Sequence, residues 1–418
     1  MDREYPSPSA QRPTVDTTRA PGAPPSRTPS HADPPAMTPA ARTQAAIELL
    51  DAIILAAREG GAAADTLIAR YFAQRRYAGS KDRRAVRELV YAAIRALGEA
   101  PASGRAALLA LAAHDAALAA TFDGSPHGPA PIATGEAPAA AGLHPRWLVD
   151  ALAASGLDAG EQAALIDRAP LDLRLVDPAA DLPDAAPIPG LPHARRLPAG
   201  ADVAALAGQA EVQDAGSQAV TLAAAAAPGM TVLDLCAGAG GKSLALAAQM
   251  AGQGRIIAAD IDRARLSRLA PRAERAGVSI IETRLLDPGH ERAALADVAA
   301  DVVFVDAPCS GTGTWRRNPE ARWRLTPQRL DRFVAAQRNV MGIGAACVRP
   351  GGALVYVVCS LLDAEGAAQV DAFLSAFPGW VAEPLSLPFG RARGSGLRLT
   401  PAHDGTDGFF VARLRAPC

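Results

Sequence analysis

Lysine is almost missing from this 418-residue chain: Lys81 and Lys242 stand alone among 42 basic residues, the rest being arginine. With nearly every surface lysine replaced, the survival of Lys242 inside a glycine loop suggests that a compact ammonium is wanted there rather than a planar fork. Aromatic side chains make up only 4% of residues, so the 49% apolar content points to a core of Ala, Leu, Val and Ile. No apolar run approaches the roughly 20 residues that a membrane span needs, and no membrane partner is expected. The five cysteines show no C-x-x-C spacing, so no metal is expected. Their odd number in a long chain, with no apolar leader core ahead of them, reads as reduced thiols in a cytoplasmic protein. Net charge is also lacking, and −1 leaves a nucleic-acid partner open, because a local basic groove hides inside a balanced total.

Residues 1–40 hold ten of the 35 prolines and almost no large apolar side chains, and are expected to be a disordered tail. Met37 raises the expectation that translation starts there. Residues 41–121 carry helical stripes, such as Val86, Leu89, Val90, Ile94 and Leu97, and read as a small helical domain. Its polar faces bear Arg75, Arg76, Lys81, Arg83, Arg84 and Arg87 against Asp82 and Glu88, either a solvated surface or a phosphate-contacting one. Residues 122–142 read as a linker and 143–210 as a small α+β unit packed on the C-terminal region, with a helix opening at Pro145 and a strand at Leu171 to Leu175. From 211 to 418 strands and helices alternate. Strands are expected at Thr231 to Leu235, Arg255 to Ala259, Ser279 to Thr283, Val302 to Val305 and Ala353 to Val357. Helices are expected at Ser243 to Met250, Asp262 to Ala276 and Pro327 to Val348. That alternation is the pattern of a doubly wound, Rossmann-like α/β sheet, and the chain is expected to be a monomer.

The turn from Asp234 through Cys236, Ala237, Gly238, Ala239, Gly240, Gly241 and Lys242 to Ser243 joins a strand to a helix. Small residues there let the backbone approach a polar ligand at free helix N–H groups. A phosphate-binding loop needs glycine where Cys236 stands, and a dinucleotide fingerprint needs glycine where Ser243 stands, so both fail. S-adenosylmethionine remains. Asp260 closes the next strand, where a carboxylate can take both ribose hydroxyls, and Asp287, after the third, is a candidate to face the adenine. Asp234 is expected to organise the loop by hydrogen bonding.

Two further segments end strands: Asp306-Ala307-Pro308-Cys309-Ser310-Gly311 and Tyr356-Val357-Val358-Cys359-Ser360. Free cysteine is usually a small buried hydrophobe, but two, each before serine at one sheet edge, suggest covalent chemistry. With Gln213-Asp214-Ala215-Gly216-Ser217-Gln218 ahead of the glycine loop and Asp407-Gly408-Phe409-Phe410-Val411-Ala412-Arg413-Leu414 at the end, these motifs resemble the Sun/RsmB-type family of RNA (cytosine-5) methyltransferases. The resemblance implies S-adenosylmethionine as cofactor, Cys359 as nucleophile and Cys309 as the thiol that helps release product. It also implies a role for Lys242 in orienting Asp306 or the substrate. Asp306 would hold the base edge beside the cofactor. Glu365 falls where the family has a recurrent acid, either a helix cap or a site organiser. One departure is Val358, where the family often has threonine, so a hydroxyl next to the nucleophile is lost. Cys236, Cys347 and Cys418 read as structural.

Carbon 5 of cytosine is a poor nucleophile until a thiolate adds to carbon 6, which explains why such a site needs cysteine. After Cys309 come Trp315, Arg316, Arg317, Arg322, Trp323 and Arg324. Arginines with tryptophans suit phosphate pairing and base stacking, against the alternative that the tryptophans pack the loop. A NusB-like helical domain joined to this catalytic region implies RNA as partner, with small-subunit ribosomal RNA favoured and transfer RNA the alternative. A methyltransferase acting on amino groups would show Asn-Pro-Pro-Tyr or Asp-Pro-Pro-Tyr instead of Asp306-Ala307-Pro308-Cys309. A non-catalytic ribosome-assembly factor would have no need of both thiols.

Overall fold

The computed structural model describes residues 36–418 except 183, 199, 200 and 207. The proline-rich tail therefore lies, up to residue 35, outside the described residues. The N-terminal part packs α1 (Pro39–Glu59), α2 (Ala64–Ala73), α3 (Ser80–Ala96) and α4 (Gly104–Ala112) around Leu49, Leu50, Ile53, Val90, Ile94 and Leu108. Thr38 starts α1 by accepting the Ala41 N–H, with Pro39 in the first turn where its missing donor costs nothing. Residues 122–142 have no regular structure but are strapped down: Glu136 pairs with Arg105, Ala139 N–H donates to the Ala106 carbonyl and Gly142 N–H to that of Ala96.

The next unit holds a four-stranded antiparallel sheet made of β1 (Leu171–Leu175), β2 (Ala186–Ile188), β3 (Leu191–Leu197) and β4 (Ala210–Val212), in the order β2-β3-β1-β4. Ile188, Leu191 and Ala194 of this sheet share one apolar core with the helix Ala215–Leu222 and the catalytic strands.

Five parallel strands form one side of the main sheet, out to its β7 edge: β5 (Thr231–Leu235), β6 (Arg255–Asp260), β7 (Ile281–Leu285), β8 (Ala300–Asp306) and β9 (Val348–Val358). They are followed by β10 (Val381–Glu383), β11 (Arg391–Arg393), β12 (Gly396–Leu399) and β13 (Phe409–Arg415), and the order is β11-β12-β13-β9-β8-β5-β6-β7, with β10 on β13. The chain reverses direction of travel between β5 and β8, so the loops after these two strands open a crevice at the carboxyl edge. Val302, Val303, Phe304, Leu354, Val355 and Tyr356 are buried on both faces, as parallel strands under two helical layers require.

Two expectations are corrected. The third parallel strand begins at Ile281 rather than Ser279. The helix expected from Asp262 to Ala276 is two, Arg263–Leu266 and Leu269–Arg275. Pro271 has no N–H for the carbonyl of Ser267, so a single helix cannot run through.

The helical domain is fixed to the catalytic sheet through the segment after Cys309. Glu320 caps α2 by accepting the Ala64 N–H at 2.9 Å. Arg322, fully buried, donates to the carbonyls of Ile94 and Leu97 at 2.6 and 2.7 Å, closing the C-terminus of α3. The Trp323 indole N–H reaches the Gly98 carbonyl at 3.2 Å, and Arg324 reaches those of Gly61 and Ala62. Arg322→Ala is expected to cost about 2–4 kcal/mol, since it orphans buried carbonyls. The check is the urea midpoint; a loss within error of zero would mean that water replaces the guanidinium freely.

Candidate active site

Each side chain in the crevice is held by the element that carries it. In the glycine loop Cys236 adopts φ 74° and Gly238 and Gly240 adopt 56° and 82°, left-handed values that make the tight turn. The Cys236 and Ala237 N–H groups donate to the Ala259 carbonyl, and Gly238 N–H donates to Asp260 Oδ2 at 2.7 Å. Asp234 accepts from the Ser243 hydroxyl at 2.5 Å, and its second oxygen is buried without a partner. It organises the loop. Burial pushes the Asp234 carboxyl up to about 7, against the lowering pull of the Ser243 hydroxyl. Its folded pKa exceeds the ordinary value of about 4, so the stability it contributes is complete below that value and is lost as pH rises through about 7. Asp234→Asn keeps an acceptor for Ser243 without a charge. The wild-type thermal midpoint should therefore fall relative to that of the variant between about pH 4 and pH 8; parallel falls would mean that Asp234 does not titrate there.

Lys242, in the first turn of the helix Gly241–Gln249, extends its Nζ to 2.6 Å from Asp306 Oδ2 at the end of β8 and lies 5.6 Å from the Phe409 ring centroid. Burial alone would lower the Lys242 pKa, but the Asp306 carboxylate outweighs it and holds the ammonium charged. Beyond Asp306 and β9 the two cysteines meet, with Cys309 Sγ and Cys359 Sγ 3.3 Å apart. The Cys309 thiol is pushed well above the ordinary thiol range by its hydrogen bond with Cys359, then by burial.

Beneath the thiols lies a carboxylate hub. Glu365, fully buried, accepts from the Ser310 N–H at 2.8 Å, the Ser310 hydroxyl, the Ser360 hydroxyl at 2.5 Å and the Gln337 amide at 2.9 Å. One side chain thus ties together both Cys-Ser turns and the helix Pro327–Cys347. Of the two roles open to Glu365, the hydrogen bonds are those of an organiser. Gly313 N–H donates to the Cys359 carbonyl at 3.0 Å, and Gly408 N–H to the Gly313 carbonyl at 2.8 Å. A Cβ on Gly313 would stand 2.1 Å from the Gly408 carbonyl oxygen, so this crossing behind the nucleophile tolerates only glycine.

The residues suit S-adenosylmethionine. Asp234, Asp260 and Asp306 converge on the loop and all raise the Cys236 thiol pKa after burial itself, a negative setting that complements a sulfonium. Each Asp260 oxygen accepts one backbone N–H, from Gly238 and Asp262, and has a lone pair to spare for a ribose hydroxyl. Asp287 is exposed past the end of β7 and makes no side-chain contact with the loop. Cys347 is buried in the core, whereas Cys418 is exposed.

The stretch Trp315 to Arg324 is a correction. Trp315 and Arg322 are fully buried, Arg316 is 6% exposed, and Trp323 packs in the helical core. Arg316 and Arg317 are spoken for by Asp407, at 3.1 and 2.6 Å, with Arg317 also 3.0 Å from Asp214. Arg324 is held by carbonyls of the helical domain. These groups build the interface under the Cys309 loop, and their side chains are spent on protein carboxylates and carbonyls. Sequence reasoning also missed Arg272, which donates to the Ala239 carbonyl of the loop at 2.6 Å while pairing with Glu211 of β4. In a chain with arginine at nearly every basic position, no signal singles it out.

Residues 220–415 match the model of the 16S rRNA methyltransferase RsmB/F family. That region of the chain belongs to the family. Within the RsmB/F family, ribosomal RNA small subunit methyltransferase B of Thermus thermophilus is 42% identical over 193 residues, 46% of each chain. The chain spans about half the length of the curated relatives it matches. A crystal structure of PH0851 covers 90% of this chain and 99% of its own with TM-score 0.67 at 22% identity. NSun6 from Pyrococcus horikoshii, solved with SFG, covers 65% and 98% with TM-score 0.57 at 19% identity. Both share the fold of this chain.

Proposed function

We propose that the chain transfers a methyl group from S-adenosylmethionine to carbon 5 of cytosine in RNA, small-subunit ribosomal RNA before others, through a covalent Cys359 adduct. The observation that carries this reading is the pair of thiols 3.3 Å apart at the edge of a loop suited to a sulfonium. Family membership and the curated name of the Thermus thermophilus relative support RNA as substrate.

The Cys359 thiolate adds to carbon 6, forming a sulfur–carbon bond as the 5,6 double bond breaks and its electrons move to carbon 5. Asp306, held by Lys242, faces the base edge at N3 and the exocyclic amine and stabilises charge that develops on addition. The cofactor supplies an electrophilic methyl group, whose transfer forms the carbon 5 to methyl bond and breaks the methyl–sulfur bond. Cys309, after giving its own proton to water, takes the carbon 5 proton directly or through water, the 5,6 double bond returns and the Cys359 thiolate leaves. The remaining cytosine is 5-methylated.

RNA containing 5-fluorocytosine, which has no removable proton at carbon 5, should form a stable adduct that maps to Cys359. Absence of both the adduct and tritiated methyl transfer to RNA would reduce the chain to a binding factor. Bisulfite sequencing of ribosomal and transfer RNA from a deletion strain then names the substrate.

A further inference from the structure

A cleft between the helical domain and the small sheet is lined by arginines of both, with Arg316 and Arg317 at its floor. It encloses about 890 Å³. Its floor is neutral: Arg196 pairs with Asp172, and Arg316 and Arg317 with Asp407 and Asp214. Its walls are not. Arg84, Arg87 and Arg95 of α3 and Arg168 line the cleft with Asp65 and Glu88, and Asp167 lies near Arg95. Arg87 and the Tyr91 hydroxyl share Asp65, and Glu88 reaches Arg168 only at 4.0 Å, with the Arg168 side chain 73% exposed. Burial, then the neighbouring Arg168 charge, lowers the Arg95 pKa against the opposing pull of Asp167, and Arg95 itself donates to the carbonyls of Ile166 and Arg316.

Arg84, Arg87, Tyr91 and Arg95 recur at intervals of three and four and form one stripe along α3, about 16 Å long at 1.5 Å per residue. The floor of the cleft is tied through the interior to the segment that backs the nucleophile. Asp407, which holds Arg317, precedes Gly408, and Gly408 is linked through Gly313 to the Cys359 carbonyl by two hydrogen bonds. Guanidinium forks along a cleft whose floor is built from the arginines that follow the Cys309 loop match a phosphate chain better than an apolar or acidic protein surface.

We propose that this cleft carries the ribose-phosphate backbone flanking the target base, with Arg84, Arg87 and Arg168 pairing with phosphates. The proposal rests on the RNA-methylating reading above and deepens it by giving the substrate a path. All three side chains are exposed or nearly so, and their removal should leave the fold intact.

The test compares the full chain, an Arg84→Ala/Arg168→Ala variant and Arg70→Ala, an exposed arginine of α2 outside the cleft. Methyl transfer to ribosomal RNA and RNA affinity against salt are measured for each. The double variant should raise KM about tenfold with kcat within about twofold, and should lower the salt slope by about 1.4 to 1.8, the share of two phosphate contacts. Arg70→Ala should behave as wild type, and Arg84→Lys/Arg168→Lys should restore much of the slope. Unchanged KM and slope in the double variant, or an equal loss in Arg70→Ala, would overturn the cleft as the path while wild-type methylation still supports the enzymatic reading. Failure of wild type to methylate any RNA would sink that reading instead, and the binding slopes would still score the cleft.

Discussion

Cys359→Ala should lose methyl transfer by on the order of 10⁴-fold or more, while binding of S-adenosylmethionine survives. The two properties separate because the glycine loop is anchored without this thiol: Asp234 holds Ser243, Asp260 holds the Gly238 N–H, and Arg272 holds the Ala239 carbonyl. The Cys359 backbone is fixed independently, by Gly313 at its carbonyl and by the Glu365 hub at the next residue, so alanine should stand where cysteine stood. Tritium transfer measures the loss and calorimetric titration measures the cofactor. Retained turnover would hand the attack to Cys309, the arrangement of DNA cytosine methyltransferases. Against that, Cys309 is held protonated by its neighbour and by burial, which leaves it a poor source of thiolate.

The chemistry-bearing part of this site was legible in sequence because it sits at strand ends. Asp234, Asp260, Asp306 and Cys359 each close an apolar run, and a parallel sheet brings the ends of such runs to one edge whatever lies between them. What holds these residues was much less legible. The serine after each cysteine was visible, but its purpose depends on Glu365, which reaches Ser310 across 55 positions. Trp315 to Arg324 misled for a related reason. Arginine and tryptophan are the residues of nucleic-acid surfaces and also of buried helix caps, and local composition cannot distinguish the two. The partners that decide it, the carbonyls of Ile94 and Leu97, lie more than 200 positions away. The helix break at Pro271 was a local signal, available in the sequence and outweighed there by the apolar spacing around it.

Cys309→Ala should produce the opposite failure, with attack intact and release slow, so that protein accumulates linked to ordinary, fluorine-free RNA. The physical basis is the coupling between the thiols. The largest cause of the high Cys309 pKa is its hydrogen bond with Cys359, followed by burial. Once Cys359 is bonded to carbon 6 it is a neutral thioether, and that cause is gone. The contact that holds the Cys309 proton is thus weakened at the stage when a base near carbon 5 is first needed, so that proton can pass to water and leave the thiolate to act. Alanine removes this timed base without touching the nucleophile, and the 3.3 Å gap becomes space for a water that takes the proton poorly. Turnover should drop by about 10²-fold or more, the usual worth of a positioned acid or base. A band of protein plus RNA should appear on denaturing gels and disappear in Cys309→Ala/Cys359→Ala. Rapid turnover without a trapped species would take Cys309 out of the release step and leave proton removal to solvent or to Asp306.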